Sequence, residues 1–275
     1  MSGLVPLFIR EMKKWYRDPI FFVVGLLQPI FWIALFGSAI DFTKFIPSGI
    51  PGISPSSILD GAPDYITFLI GGVLTTTALF TGMFSGTNII WDRRLGTLSR
   101  FLISPIRRSS IVFSKIFGSI VRIMVQAAIL IGVAMLLGSV TQGLVFQHGF
   151  TVPDLLVLIA SLTMIAFIFS SMFSIIAIRL TKMNSIFGII NLINLPLMFA
   201  SYAMFPKDMM ASWLGNVAQY NPVSWSAQSI RMVIINGSLS ASQWGTVGLY
   251  LLGLFILTVI LVIATIVASE TEIRE

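Results

Sequence analysis

The chain has 275 residues, 56% hydrophobic and only 10% charged, with 17 lysines and arginines against 11 acids and a formal net charge of +6. Soluble domains carry about 25% charged residues, so an ordinary soluble protein is excluded, and the basic excess reads as cytoplasmic bias on a membrane protein rather than nucleic-acid binding. Cysteine is absent and His148, in an expected loop, is the single histidine, which excludes disulfides, thiolate metal sites and any multi-histidine metal centre.

The opening, MSGLVPLFIREMKKWYRDP, does not read as a cleavable signal peptide, because charge follows its first apolar residues and no small-residue cleavage site appears. Residues 1–18 are expected to hold an interfacial amphipathic helix. Leu4, Leu7, Phe8, Met12 and Trp15 share one face, and Arg10, Lys13, Lys14 and Arg17 lie largely opposite. Six apolar segments follow, at 20–40, 65–91, 111–138, 153–178, 184–204 and 244–268. Each reaches the ~20 residues that a helix needs to cross a bilayer, and the alternation of a barrel strand is missing. The reading is an all-α polytopic membrane protein with six transmembrane helices in a single domain, 1–275.

Span one leads into 41–63, rich in Pro, Gly and Ser and expected to be an irregular outer loop. Span two carries Thr77, Thr81, Ser85 and Asn88 within about 80° of one another round the helix. Gly82 and Gly86 form a GxxxG beside this stripe. Such residues serve either helix packing or the wall of a transport path. In span three Arg122 is the one charge that looks buried, and it shares a face with Lys115; it is either functional or snorkels to the inner surface. A short outer loop, 139–152, precedes span four, whose Ser170, Ser171 and Ser174 read as packing residues. Span five offers Asn184, Asn191 and Asn194 near one face, either bonded between helices or lining a substrate path. In 205–238, Asn221 caps a helix with Pro222 at its first position and Gly237 beyond its end. With Trp213, Tyr220 and Trp225, this segment is expected to form short helices dipping into the outer leaflet before span six.

Orientation follows from the basic residues. Arg10, Lys13, Lys14 and Arg17, then Arg93, Arg94, Arg100, Arg107, Arg108 and Lys115, then Arg179, Lys182 and Arg274 all fall on one side of the six spans. Lys44, Lys207 and Arg231 fall on the other. The crowded side is expected to be cytoplasmic, with both termini inside.

Between spans two and three the sequence runs WDRRLGTLSRFLISPIRRSSIVFSK. Gly96 is a plausible helix stop, with Arg93 and Arg94 complementing the negative helix end. Thr97 can cap a new short helix in which Leu98, Phe101 and Leu102 share a face, and Pro105 ends it. A basic anchor on lipid headgroups explains the arginines, but it needs no Gly-Thr start or Ser-Pro stop. The apolar face therefore reads as a docking knob.

This segment resembles the corresponding part of type-2 ABC exporter permeases, in which a charged cluster precedes Gly-Thr, an apolar octet, Pro and Lys. EMKKWYRDPIFFVVGLLQPIFWIALFG and FPKDMMASWLGNVAQYNPVSWSAQSIRMVIINGS are similar to the family's opening and outer segments. The match covers nearly the whole chain in order and is closest to the bacterial and archaeal daunorubicin-type drug-resistance branch. Ser99 departs from it, since the family often has Glu there.

The resemblance implies an exporter's transmembrane subunit in the cell membrane, moving an amphipathic or hydrophobic substrate outward. It also implies a cytoplasmic ABC ATPase partner, a second permease copy (identical or a sibling) and surrounding lipid. Gly96, Thr97, Leu98, Phe101, Leu102, Pro105, Arg107 and Arg108 would form the coupling helix that meets the ATPase. Arg10, Lys13, Lys14, Trp15 and Arg17 would form a connecting helix, and Asn221, Pro222 and Arg231 an outer gate. Thr77, Thr81, Ser85, Asn88, Asn191 and Asn194 would be candidates for the substrate path. No GxxxxGK[ST] sequence is present, so ATP and Mg are expected on the partner and no cofactor on this chain. An ion-coupled secondary transporter is the alternative. It usually needs intramembrane acids, and Asp64 and Asp154 sit only at span edges. An intramembrane enzyme lacks a nucleophile–base set.

Overall fold

The computed structural model describes residues 3–36, 55–141, 151–180, 182–236 and 239–272. His148, Lys44, Gly237, Arg274 and much of the two expected outer loops lie outside them. Every regular element among the described residues is helical. Helix α1 is Leu4–Arg17. Helix α2, Pro19–Phe31, continues into a π-helical turn, Trp32–Phe36. A single turn, α3 (Pro55–Ile58), precedes α4, Tyr65–Arg94. Then follow α5, Thr97–Leu102, and α6, Arg108–Thr141. Helix α7 is Val152–Arg179 and α8 Met183–Phe199. After a 3₁₀ turn at Lys207–Met209 come α9 (Ser212–Ala218), α10 (Pro222–Ile235) and α11 (Ala241–Glu272).

Helix α4 is the axis of the bundle. Its most apolar stretch is 89% buried, against 17% for that of α11 at the rim. It packs along α7, α6 and α10, while α7 also backs onto α11. The sequence explains the closeness of α4 and α7. A Cβ added at Gly86 would lie 2.6 Å from the Ser170 carbonyl oxygen and 2.8 Å from the Ser174 nitrogen. The GxxxG face thus fits the serines of span four, and Ser170, Ser171 and Ser174 are fully buried packing residues. Asp64 and Asp154 prove to be helix caps: Asp64 accepts from the Thr67 N–H at 2.7 Å, and Asp154 completes a capping box with Thr151.

Among the described residues, the six-span expectation meets four helices long and apolar enough to cross a membrane, or five if the bent pair α1–α2, which turns through 68°, is one span. The expected span at 184–204 is shorter than predicted. Its helix stops at Phe199, because the segment after it folds back over α4. That fold requires glycine: a Cβ at Gly72 would sit 1.7 Å from the Ala203 carbonyl oxygen.

At the end of the bundle that holds the C-termini of α4 and α7, arginines join helix termini. Arg93 donates to the Ile178 and Leu180 carbonyls, each at 2.9 Å, and so caps α7 rather than its own helix. Arg179 forms a two-pronged pair with Glu272, both contacts 2.7 Å.

Gly72→Ala is expected to lower the thermal midpoint of the detergent-purified protein by an overpacking cost of about 1–3 kcal/mol. Gly132→Ala, on α6 with open space at its Cβ, is expected to leave it unchanged. Equal midpoints for the two variants would refute the close approach.

Candidate functional site

Two linked features lie side by side in the bundle: a buried charge cluster and a cavity. The cluster is built by α1, α4 and α6. Lys115 of α6 is 1% exposed, and its ammonium is paired with Asp92 of α4, 1% exposed, and with Glu11 of α1, 3% exposed, at 3.3 Å. Arg10 adds contacts to Glu11 at 3.3 Å and to Asp92 at 3.4 Å. Burying one such ion costs several kcal/mol unless it is paired and hydrogen-bonded, so the positions of all three helices are tied together here. The Arg10 guanidinium also lies 4.9 Å from the centre of the Phe101 ring, which connects the cluster to α5.

Neither acid was singled out from the sequence, although both carried a signal. Asp92 follows Ser85 by seven residues and extends the polar stripe of α4. Glu11 stands seven after Leu4 and four after Leu7, on the otherwise apolar face of α1.

Helix α5 begins at a left-handed Gly96 (φ 65°), where only the backbone conformation demands glycine, since nothing lies within 4 Å of its Cβ position. Thr97 does not cap it as expected; its hydroxyl reaches back to the Asp92 carbonyl at 3.2 Å. The apolar face is turned inward. Leu98 is 2% exposed, and Phe101 and Leu102 are half-buried against the core. Facing out are Leu95 (68% exposed), Ser99, Arg100, Ile103 (83% exposed), Pro105 and Arg107. Arg108 is half-buried, near the Glu270 carbonyl at 3.3 Å.

Beside the cluster lies a cavity of about 300 Å³ between α2, α4 and α6. Thr77, Thr81, Ser85 and Asn88, the stripe on span two, all line it together with Arg122 and Gln126. The aromatic wall is Trp15, Phe22, Trp32, Phe80 and Phe84. Trp15 meets Phe22 edge to face at 5.3 Å, so it faces the cavity while Lys13, Lys14 and Arg17 stay exposed. Thr81 donates to Gln126 at 2.8 Å, and Ser85 donates to the Lys115 carbonyl at 2.8 Å while accepting from Arg122 at 3.1 Å. Asn191 and Asn194 do not reach this cavity. Asn191 is exposed on α8, and Asn194 is buried with no partner for its Oδ1 among the described residues.

Arg231 and Asn221, expected at an outer gate, tie several elements together. Arg231, 1% exposed, donates to the Phe68 carbonyl at 3.2 Å, the Tyr202 carbonyl at 2.9 Å and Asp60 at 3.1 Å, and stacks 3.6 Å over the Phe68 ring. Asn221 accepts from the Val223 N–H at the start of α10. Its amide also donates to the Leu197 and Ala200 carbonyls, closing the end of α8. Pro222 takes the first helical position, as expected.

Comparison with known proteins settles the family. The profile of the ABC-2 type transporter family matches residues 4–235. This chain belongs to the ABC-2 type transporter family. The permease is 29% identical to the ycf38 protein of Cyanophora paradoxa over 226 residues, 81% of this chain and 70% of that one. It is 25% identical to the daunorubicin resistance ABC transporter permease protein DrrB1 of Streptomyces coeruleorubidus, over 81% of this chain and 71% of the relative. It is 20% identical to the doxorubicin resistance protein DrrC of Mycobacterium tuberculosis (strain CDC 1551 / Oshkosh), over 86% and 78% of the two chains. The ABC-2 permease is a multi-pass membrane protein, a transport subunit and not itself a catalyst.

Lys115→Met is expected to destabilise the permease by about 3–5 kcal/mol, because two buried carboxylates lose their partner. Adding Asp92→Asn in the same chain is expected to recover part of that loss in detergent melting. Additive losses in the double variant would show that the charges do not interact.

Proposed function

We propose that this permease is the transmembrane subunit of an exporter that moves an amphipathic or hydrophobic substrate out of the cytoplasm, driven by a separate ABC ATPase. The carrying observation is that one buried cluster joins the connecting helix α1, the coupling helix α5 through Arg10 and Phe101, and the wall of the α4–α6 cavity. A displacement of α5 by the ATPase then reaches the cavity through charges too costly to separate.

In this reading α1 and α5 lie on the cytoplasmic side with both termini, in the cell membrane. The bent α1–α2 unit and the short α8 complete six spans, and α9 and α10 dip into the outer leaflet. A second permease copy supplies the other half of the path, with Asn191 of α8 facing it. Arg231 and Asn221 hold the outer gate, since they fasten α8 and α10 to α4. The contact to the ATPase is the outward face of α5, Leu95, Ser99, Arg100 and Ile103, because Leu98, Phe101 and Leu102 are engaged within the chain. ATP and Mg belong to that partner.

The alternative, an ion-coupled transporter, needs a buried acid available for ions. Asp92 and Glu11 are taken up by Lys115 and Arg10, and Asp64 and Asp154 cap helices.

Affinity purification of the tagged chain from native membranes in mild detergent, with mass spectrometry and an ATPase assay, tests the proposal. A stoichiometric partner carrying a phosphate loop is expected, and repeated recovery of the folded chain without one would sink it. Ile103→Glu is expected to cut partner ATPase stimulation about tenfold, at an unchanged thermal midpoint, if that face carries one apolar hot-spot contact. Undiminished stimulation would move the contact elsewhere.

A further inference from the structure

The α4–α6 cavity has a charge character that apolarity alone does not give it. Among the described residues that line it, Arg122 is the one charged side chain and none is a carboxylate. The ion pairs next to it among the described residues are Lys115 with Asp92, Lys115 with Glu11, and Arg10 with each acid; Arg122 enters none of them. Glu11 lies across Gly118 from Arg122, with its Cβ and an Arg122 terminal nitrogen both within 4.0 Å of the position that a Gly118 Cβ would take. That acid is already committed to Lys115 and Arg10. Three cations therefore face two carboxylates, and the exposed Lys14, close enough to act on Asp92, adds to the same sign. Arg122, the cation outside these ion pairs, is the one that lines the cavity.

The hydrogen bonds agree with this count. A guanidinium has five N–H donors. One terminal nitrogen of Arg122 is used on Ser85, while Nε, screened from solvent, has no partner among the described residues. Ser85 has given its own proton to the Lys115 carbonyl. Gln126 has its carbonyl oxygen taken by Thr81, which leaves its amide as a donor. A buried donor without an acceptor is costly, and an anionic oxygen is the group that answers it best. A cation would meet the repulsion of Arg122, and Glu11, the acid nearest to it, is already shared with Lys115 and Arg10.

We propose that this cavity binds an amphiphile bearing one negative charge, its acid group on Arg122 and its apolar body against Trp15, Phe22, Trp32, Phe80 and Phe84. The volume, about 300 Å³, falls at the small end of the range for drug-sized ligands, so a head and part of a body fit rather than a polymer. This rests on the reading of the cavity as part of the transport path, and it names the class of substrate. The acid has two sources, a transported amphiphile and the headgroup of an anionic lipid, which share this chemistry.

The test uses two probes of nearly one shape, 8-anilinonaphthalene-1-sulfonate and the uncharged N-phenyl-1-naphthylamine. Binding to the full-length chain in phosphatidylcholine nanodiscs is read by energy transfer from tryptophan. The sulfonate is expected to bind the unmodified protein about tenfold more tightly than the neutral probe, and to lose that advantage in Arg122→Gln. Arg122→Lys should keep it to within about threefold, and the neutral probe should bind all three proteins alike. Equal affinity of the two probes for the unmodified protein overturns the proposal without needing any variant. Parallel loss of both probes in a folded Arg122→Gln overturns it too, by assigning Arg122 to cavity shape. Phosphatidylglycerol added to the discs separates the sources: competition with the sulfonate supports a lipid headgroup, and its absence supports a soluble amphiphile. No ATPase is needed, so failure here leaves the exporter reading standing, and failure to recover an ATPase leaves this result intact.

Discussion

The fold turns on the placement of one ammonium group. Lys115 is buried within a helix bundle, where an unpaired charge is prohibitive, and its two partners come from two other helices. Meeting that condition fixes α1 against the C-terminal end of α4 and the N-terminal part of α6, and it brings Arg10 over Phe101. It also fixes rotation. Arg122 lies two turns beyond Lys115 on the same face of α6, so anchoring the first directs the second at Ser85 and the cavity. A lone buried pair is weak evidence for stability, and its better-attested use is to specify one arrangement over others. Here the specified arrangement joins a surface helix to an interior wall.

Helix α4 is secured by different chemistry at different depths. At its C-terminal end the charges of Asp92 and Arg93 reach other helices, and at its N-terminal end Arg231 and Asp60 clamp α10 and the segment after α8. Between them, where ionic groups are most expensive, the contacts are glycine against backbone, at Gly72 and Gly86. Asp60 takes the left-handed conformation (φ 52°), with Gly61 beside it (φ 89°). The tight turn there aims one carboxylate at both Gln228 and Arg231, each 3.1 Å away.

Periodicity made the helices legible, because long apolar runs bounded by Gly, Pro and basic residues leave few alternatives. The Thr77–Asn88 stripe, the Gly82/Gly86 face and the Asn221–Pro222 cap follow from spacing alone. The acids did not emerge the same way. A pattern search treats Glu11 and Asp92 as boundaries of an apolar segment, and their roles appear only when Lys115 from a third helix is placed between them. The inward turn of Leu98 was hidden for a related reason. An amphipathic helix has one apolar face whether it covers a partner or its own chain, and periodicity cannot say which. The end of α8 at Phe199 depends on Gly72 and Asn221, both remote in sequence.

The two faces of α4 show why one is packing and the other a cavity, although both are rich in small and polar residues. Gly82 and Gly86 lie about 100° round the helix from Thr81 and Ser85. On the glycine side the serine hydroxyls of α7 have no partner among the described residues, and the helices close upon them regardless, since a neutral hydroxyl is a modest cost against tight backbone contact. On the other side Arg122 and the aromatic rings of α1 and α2 hold the helices apart, and a guanidinium cannot be sealed in on the same terms. Polarity is present on both faces; charge and bulk are present on one. Those are the properties that leave a space open in the bundle and decide what chemistry can fill it.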